Sequence, residues 1–192
     1  MTHLQTIVAA TAVAAALAIQ PAFARVDVKV EFDKAFDFKS VRTWGWNPRG
    51  PGEIKMARTQ QDDPDAMRAR AEPVILDAVT AAIGKRGLQQ TTAEPDLQVT
   101  YYLLLTTSMS AQTLGQFLPA TTGWGLPPFE QATQSLKMMN RGSLVLDLTG
   151  KGEVVWRGVA QTNIKFDADN DKRESLLREA VRDLLAKYPP RR

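Results

Sequence analysis

The sequence predicts an α+β fold, a two-layer sandwich in which two helices cover a mainly antiparallel sheet of about five strands. Two observations carry this prediction. Short segments alternate apolar with polar residues, which is typical of strands, and two longer segments repeat apolar residues every three or four positions, which is typical of amphipathic helices. The predicted element order is β-β-α-β-β-β-α, in a single domain.

The first two strands are predicted near the start of this domain. Four apolar residues alternate with charged ones in the first strand: Val26, Val28, Val30 and Phe32. A short second strand is predicted over residues 42–46, where Asn47-Pro48 ends it. Residues 47–63 are rich in glycine, proline and polar side chains, so they predict a loop.

Asp63-Pro64 predicts the start of the first helix, since Asp caps a helix well and Pro fits its first turn. The helix is predicted over about residues 65–86, with a kink or break near Pro73. Gly87 follows it at the place of a left-handed C-cap.

Three further strands and a helix complete the predicted domain. The strands cover residues 97–105, 144–148 and 154–160, and a glycine-rich turn joins the last two. The final helix is predicted over about residues 171–188, with Asp171 and Glu174 resembling a capping box. Its predicted buried stripe is Leu177, Val181, Leu184, Leu185 and Tyr188.

Residues 1–24 are predicted to be a cleaved signal peptide, which leaves residues 25–192 as the mature domain. Residues 7–19 form an uncharged apolar run, and small residues at Ala22 and Ala24 suit signal peptidase. A helix over that run rises about 20 Å, which is short of the roughly 30 Å hydrocarbon core. We therefore expect export to the periplasm, with a peripheral place at the outer membrane as an open alternative.

Composition excludes several kinds of site. The chain has no cysteine, which excludes disulfides, thiol catalysis, cysteine-held metals and a lipid-bearing cysteine. Its one histidine, His3, lies in the predicted signal peptide. The net charge is +3, but basic and acidic residues are mixed along both helices. We therefore predict no cofactor, no metal site, no nucleic-acid partner, and neither a membrane span nor a lipid anchor in the mature chain.

The predicted loop at residues 106–136 is unusual, since its 31 residues carry one charge, Glu130. It contains the aromatic residues Phe117, Trp124 and Phe129. Long loops without regular structure are usually functional or disordered, and aromatic content argues against plain disorder. Two interpretations stay open: the loop covers a sheet face and completes the core, or it presents an apolar surface to a partner.

Tryptophan and arginine side chains on two strands are further candidate binding residues. Trp44 and Trp46 share one face of their strand, while Trp156 and Arg157 point to opposite faces. They either form an aromatic platform for a sugar, a peptide or a partner strand, or anchor the core and the sheet edge.

Three carboxylates are candidates for acid–base chemistry: Asp33, Asp37 and Asp147. Asp147 shares a strand face with Ser143 and Val145, opposite the leucines, so we expect it to contact solvent. The sequence does not place any two of these carboxylates at a defined separation.

Four segments of the predicted mature chain form a distinctive ordered set: Val30-Glu31-Phe32-Asp33, Thr43-Trp44-Gly45-Trp46, the strand from Gly142 to Leu148, and Val155-Trp156-Arg157-Gly158. Together they resemble the bacterial "domain of unknown function 4136" family. The resemblance spans nearly all of the predicted mature chain. It implies a small envelope protein, often a lipoprotein, although this sequence lacks the lipid-bearing cysteine. It does not imply a reaction.

The function predicted from these observations is non-catalytic binding in the cell envelope. The expected partner is an envelope protein or a component of the cell wall or its lipids. The alternatives are a carboxylate-dependent periplasmic hydrolase and a structural subunit of an envelope assembly.

Overall fold

The computed structural model describes residues 26–56, 63–106, 141–163 and 169–189. The predicted signal peptide and nearly all of the predicted aromatic loop, including Phe117, Trp124 and Phe129, lie outside the described residues. Within these ranges the elements, in chain order, are β1 (Asp27–Phe32), β2 (Thr43–Trp46), β3 (Gly52–Met56), α1 (Pro64–Gly84), β4 (Gln89–Gln90), β5 (Leu97–Thr106), β6 (Arg141–Gly150), β7 (Glu153–Asn163) and α2 (Asn170–Leu185).

The strands form one mixed sheet with the order β1-β7-β6-β5-β2-β4, and β3 also pairs with β5. The pairs β1–β7, β7–β6 and β6–β5 are antiparallel. The short strands β2 and β3 run parallel to β5, and β4 runs parallel to β2. The predicted α+β class with two helices is confirmed, and the described part of the sheet has seven strands rather than five.

The strand β3 lies inside the predicted loop at residues 47–63, so that part of the prediction is wrong. Strands β2 and β3 lie end to end along one edge of β5, pairing with Leu97–Val99 and with Tyr101–Leu105 respectively. Gly52 packs so closely on Tyr101 that a β-carbon there would overlap the Tyr101 carbonyl oxygen. β3 therefore depends on non-local pairing rather than on its own sequence pattern.

Helix α1 begins as predicted and ends two residues early. The Asp63 carboxylate caps it by accepting hydrogen bonds from the backbone N–H groups of Asp65 and Ala66. The helix continues through Pro73 without a break. Pro73 is exposed, so the carbonyl that it displaces can be solvated. Gly87 has the predicted left-handed conformation, with φ +79°.

Helix α2 begins at Asn170, capped by Asp169, whose carboxylate accepts a hydrogen bond of 2.8 Å from the Lys172 N–H. The predicted capping box headed by Asp171 is wrong, because Asp171 lies in the first turn. The helix ends at Leu185, and a turn then carries Tyr188 back into the core. The Tyr188 ring packs edge-to-face on Trp156, with ring centroids 6.1 Å apart.

Both helices pack on the same face of the sheet, which gives the predicted two layers. That face carries the apolar positions of β5 to β7, among them Leu103, Leu146 and Trp156. Helix α1 contributes Ile75 and Val79 to the core. Helix α2 contributes a row of apolar side chains in which Val181, Leu184 and Leu185 are fully buried. Neither described helix is long and apolar enough to cross a membrane.

Candidate functional site

The tryptophans predicted as a binding platform lie mainly in the core. Trp44 and Trp156 are 1% and 0% exposed. Trp46 is half-buried and packs edge-to-face on Trp44, with ring centroids 5.6 Å apart. The two β2 tryptophans do share a face, but that face is packed against the core. Trp44 and Trp156 therefore present no surface to a ligand, which agrees with the alternative interpretation as core anchors.

Arg157 lies on the opposite face from Trp156, where it binds Asp147. Its Nε and Nη2 atoms donate hydrogen bonds of 2.6 and 2.5 Å to the two carboxylate oxygens of Asp147. The expectation that Asp147 contacts solvent is wrong, because each side chain is only 2% exposed. Burial raises the pKa of the Asp147 carboxyl, and the hydrogen bonds and charge of Arg157 oppose that rise.

The ion pair lies within a polar row on the face of the sheet opposite the helices. Strand register places Glu31, Arg157, Asp147 and Thr100 side by side on β1, β7, β6 and β5. The Asn47 amide donates a hydrogen bond of 3.2 Å to the Thr100 hydroxyl at the end of this row. Each member is a cross-strand neighbour of the next, so the row connects four strands.

Apolar side chains on this face are buried as well. Leu104 and Val145 are 3% and 0% exposed. The phenol of Tyr102 lies near the ion pair. The pKa of Tyr102 is raised to about 12, first by burial and second by the negative charge of Asp147. The ion pair is therefore enclosed, with its carboxylate occupied by arginine, and it does not offer a solvent-accessible acid or base.

The other two candidate carboxylates support turns. The Asp33 carboxylate accepts a hydrogen bond of 2.7 Å from the Ala35 N–H, and that of Asp37 accepts one of 3.1 Å from the Lys39 N–H. In both cases the carboxylate accepts a hydrogen bond from the N–H group two residues later in the chain, which is typical of Asx turns. Asp33, Asp37 and Asp147 thus each have a structural hydrogen-bonding role.

A cavity of about 100 Å³ lies between the helical layer and the sheet. Small residues on four elements leave this space where the layers meet: Ala71 on α1, Gly142 on β6, Ala160 on β7 and Ala180 on α2. Larger apolar side chains, including Leu103, Leu144 and Leu177, form its walls. The sequence did not indicate this cavity, because each small residue is unremarkable within its own element.

Three polar residues also border the cavity: Gln161, Thr162 and Arg173. The buried Thr162 hydroxyl has no hydrogen-bond partner in the described part of the chain. Arg173 is half-buried on the first turn of α2. The cavity can therefore hold an apolar group while its border provides hydrogen-bonding groups and a positive charge.

A more open cleft of about 350 Å³ runs between the N-terminal halves of α1 and α2. It shares Met67, Ala71, Arg173 and Leu177 with the cavity, so the two spaces are neighbours with a common wall. Of the residues that the structure describes, Arg70, Arg173 and Glu174 are the charged ones that line the cleft. Among the described residues, the combined site is apolar inside and has charged side chains at its outer part.

Comparison with known proteins gives a family and a fold. A family model described as "Domain of unknown function (DUF4136)" matches residues 28–190. A PDZ domain protein from Parabacteroides distasonis has a similar structure, with a TM-score of 0.52 and 13% identity; the match covers 88% of this chain and 37% of that one. At that identity the likeness concerns the fold alone, and this chain spans well under half the length of that protein.

Two further solved structures were matched. A DUF4136 family protein from Bacteroides thetaiotaomicron gives a TM-score of 0.49 at 18% identity, over 85% of this chain and 96% of that one. A PelC dodecamer from Paraburkholderia phytofirmans gives 0.40 at 12% identity, over 88% and 100% of the two chains. No curated protein matches the chain.

Proposed function

The chain belongs to the DUF4136 family, and from this premise we propose that it is an exported, non-catalytic binding protein of the bacterial envelope with a lipid component as its ligand. The observation that carries the proposal is the apolar cavity between the helices and the sheet. Protein interiors are normally close-packed, so a space bordered by small residues from four elements is a candidate site for an apolar group.

The size of the cavity supports binding on energetic grounds. Unfilled cavities cost about 24 cal/mol per Å³, so a cavity of about 100 Å³ corresponds to about 2 kcal/mol that an apolar ligand could recover. Entry of an alkyl group removes its surface from water as well, at about 25 cal/mol per Å². Both contributions favour an apolar group that fits the cavity.

The arrangement of the carboxylates supports binding rather than catalysis. The buried carboxylate of Asp147 accepts two hydrogen bonds from Arg157, so its charge is already paired. The carboxylates of Asp33 and Asp37 accept backbone hydrogen bonds in turns. A general base needs a carboxylate within reach of a substrate proton. These three carboxylates form hydrogen bonds within the fold, which favours the binding function over the hydrolase.

Export is supported by the sequence of residues 1–24, with its apolar run and small residues before Arg25. Cell fractionation and intact-mass measurement of the purified protein test this part. We expect a periplasmic protein whose first residue is Arg25. A cytoplasmic protein that retains Met1 to Ala24 would contradict export without affecting the cavity.

Ligand binding by the cavity can be tested with a neutral alkyl probe, hexanol, followed by thermal unfolding and calorimetry. A ligand that binds only the folded state raises Tm in proportion to its occupancy. We expect hexanol to stabilise the unmodified protein. Ala180→Leu, which fills the cavity from α2, should remove that effect.

The matched control is Ala81→Leu, the same change at an exposed position of α1 that does not border the cavity. Hexanol should stabilise this variant as well as the unmodified protein. Absence of any hexanol effect on the unmodified protein, or an equal effect on the Ala180→Leu variant, would overturn the cavity as the binding site.

A further inference from the structure

We propose that the edge strand β1 pairs antiparallel with β1 of a second copy of this chain, so that two sheets join into one across a two-fold axis. Among the described strands, β1 has a neighbour on one side, β7. The other side is a sheet edge, and an edge with unpaired backbone groups can accept a further strand. Three features select a second β1: the phase of its backbone groups, the charges on one face and the apolar side chains on the other. The inference does not depend on a ligand in the cavity.

The backbone groups of β1 alternate between β7 and the free edge. The Asp33 N–H, just after β1, donates a hydrogen bond of 2.8 Å to the Val155 carbonyl of β7. In an antiparallel pair every second residue bonds to the same neighbour, so the residues two, four and six places before Asp33 also face β7. The remaining N–H and C=O groups point to the free edge, and they belong to Val28, Val30 and Phe32. A second β1 must therefore place residues of this set opposite one another.

Charge selects one register among those that this phase allows. If Val30 lies opposite Val30 of the second copy, Lys29 lies opposite Glu31 and Glu31 lies opposite Lys29. A register shifted by two residues places either Lys29 opposite Lys29 or Glu31 opposite Glu31, and larger shifts shorten the pairing. Opposite charges stabilise a cross-strand pair, whereas like charges destabilise it. The register centred on Val30 is therefore favoured.

The ion pair within each β1 is compatible with this register. The Lys29 Nζ lies 2.9 Å from the Glu31 Oε1, so the four side chains of the joined strands alternate in sign around a square. The Glu31 Oε2 is buried and has no hydrogen-bond partner within the described part of the chain. The last torsion of glutamate is broad, so the carboxylate can turn this oxygen toward a second ammonium. The second copy supplies that ammonium from its own Lys29.

The apolar side chains of β1 lie on the face that carries the helices. Val28, Val30 and Phe32 pack against the core, but each is only half-buried at this edge. In the proposed register Val28 lies opposite Phe32 of the second copy, and Val30 lies opposite Val30. Aromatic and β-branched side chains make favourable cross-strand pairs, and the contact removes apolar surface from water. The joined strands thus match in charge on one face and in apolar contact on the other.

The short length of β1 predicts a weak and reversible dimer. The strand has six residues, and small interfaces typically form transient complexes. The register also places Asp27 opposite Asp33 at the ends of the pairing, although the Asp33 carboxylate is turned toward its donor, the Ala35 N–H. We expect a Kd in the micromolar range. Because a two-fold contact uses the same edge of both copies, the assembly closes at two subunits.

The first test is the mass of the purified protein in solution, measured by analytical ultracentrifugation at concentrations up to about 200 µM. We expect an equilibrium between monomer and dimer. A protein that stays monomeric at the highest concentration would overturn the proposal, and so would an assembly larger than a dimer. This measurement does not depend on any variant folding.

A charge reversal tests the contact between Lys29 and Glu31. Lys29→Glu places two carboxylates opposite each other at two points of the interface, so it should weaken the dimer about tenfold or more. The matched control is Lys85→Glu, the same change at an exposed lysine that follows α1. It should dimerise like the unmodified protein. Equal dimer affinity for the Lys29→Glu variant and the unmodified protein would contradict pairing through β1.

Cysteine substitution tests the register, because the chain has no cysteine of its own. Opposite residues of a hydrogen-bonded antiparallel pair have Cα atoms about 5.5 Å apart, which suits a disulfide. Val30→Cys should therefore form a covalent dimer under mild oxidation, seen on a non-reducing gel. Val28→Cys is the matched control on the same face, and its two copies would lie four residues or about 13 Å apart along the strands. Cross-linking of Val28→Cys without cross-linking of Val30→Cys would overturn the proposed pairing.

Discussion

Arg157 and Asp147 form a two-bond ion pair between neighbouring strands, on the face of the sheet opposite the helices. With each side chain only 2% exposed, neither charge has free access to water. Such a pair gains little over an apolar pair of equal volume, because removing two charges from water is costly. Removing only one partner is strongly destabilising, because the other charge then stays buried.

We predict that Asp147→Asn lowers the free energy of unfolding by about 3–5 kcal/mol, because it leaves the Arg157 charge without its carboxylate. The measurement is denaturant unfolding followed by circular dichroism. A double variant, Asp147→Leu with Arg157→Met, should lose less than Asp147→Asn alone, since it buries no unpaired charge.

The control is Asp77→Asn, which breaks the exposed pair of Asp77 with Arg178. Surface pairs contribute about 0–1 kcal/mol, so we expect a loss in that range. Equal losses at Asp77 and Asp147 would mean that Asp147 is not buried as described.

The same ion pair shows what strand patterns can and cannot predict. Alternation correctly placed Asp147 with Ser143 and Val145, opposite the leucines of β6, because side-chain direction is a local property of a strand. It did not predict whether that face is covered, since burial depends on what packs against the sheet. Nor did it pair Asp147 with Arg157, which requires the register of β6 against β7.

The other features that the sequence did not predict also depend on contacts between distant parts of the chain. β3 forms because residues 52–56 lie beside β5, and its own five residues carry little strand signal. The cavity exists because Ala71, Gly142, Ala160 and Ala180 meet in space, although they are far apart in the sequence. In contrast, α1, β5 and β7 were predicted well, because caps and apolar periodicity are local signals.

We predict that Gly45→Ala is strongly destabilising. Gly45 lies on β2, where a β-carbon would overlap the carbonyl oxygen of Thr91, a backbone atom that cannot rotate away. The Thr91 N–H donates a hydrogen bond of 2.8 Å to the Trp44 carbonyl, so relief of the overlap would disturb this pairing. We expect a loss of about 1–3 kcal/mol, typical of overpacking, measured by urea unfolding.

Gly84→Ala provides the comparison for this prediction. Gly84 is the last residue of α1 and a β-carbon there meets no atom within 4 Å. Replacement of a helical glycine by alanine gains about 0.4–1 kcal/mol by reducing the entropy of the unfolded chain. A Gly45→Ala variant as stable as the Gly84→Ala variant would contradict the close approach of β2 to residue 91.

We predict that Asp96→Asn destabilises the junction between β2 and β5. The Asp96 carboxylate accepts hydrogen bonds of 2.8 and 2.9 Å from the backbone N–H groups of Arg42 and Thr43, and one of 3.0 Å from the Thr43 hydroxyl. These bonds hold the pKa of Asp96 below its ordinary value, and the two backbone N–H groups have a larger effect than the Thr43 hydroxyl. An asparagine can keep some of the bonds but loses the charge that strengthens them.

The sign of the pH dependence at Asp96 follows from that lowered pKa. A carboxyl that ionises more readily in the folded state stabilises the protein at pH values above its unfolded pKa, and the contribution disappears as the pH falls through the folded pKa. Acid unfolding of the Asp96→Asn variant should therefore depend less on pH below about 4. Identical acid profiles for the two proteins would show that the carboxylate does not make these bonds in solution.

The final prediction concerns alkaline pH and Tyr188. Burial raises the pKa of the Tyr188 phenol to about 12, and the positive charge of Arg86 opposes this rise. A group whose folded pKa lies above its unfolded value of about 10 contributes stability that is fully present below pH 10. That contribution disappears as the pH rises toward 12, because ionisation then favours the unfolded chain.

Tyr188→Phe keeps the ring that packs on Trp156 and Phe38 and removes the ionisable hydroxyl. We expect the variant to lose less unfolding free energy than the unmodified protein across this alkaline interval, by up to about 2 kcal/mol. Urea unfolding at a series of alkaline pH values measures the difference. The slopes are compared rather than the absolute free energies, so a constant packing effect of the substitution cancels. Parallel profiles would place the Tyr188 phenol in contact with solvent and contradict its position between β7 and the end of α2.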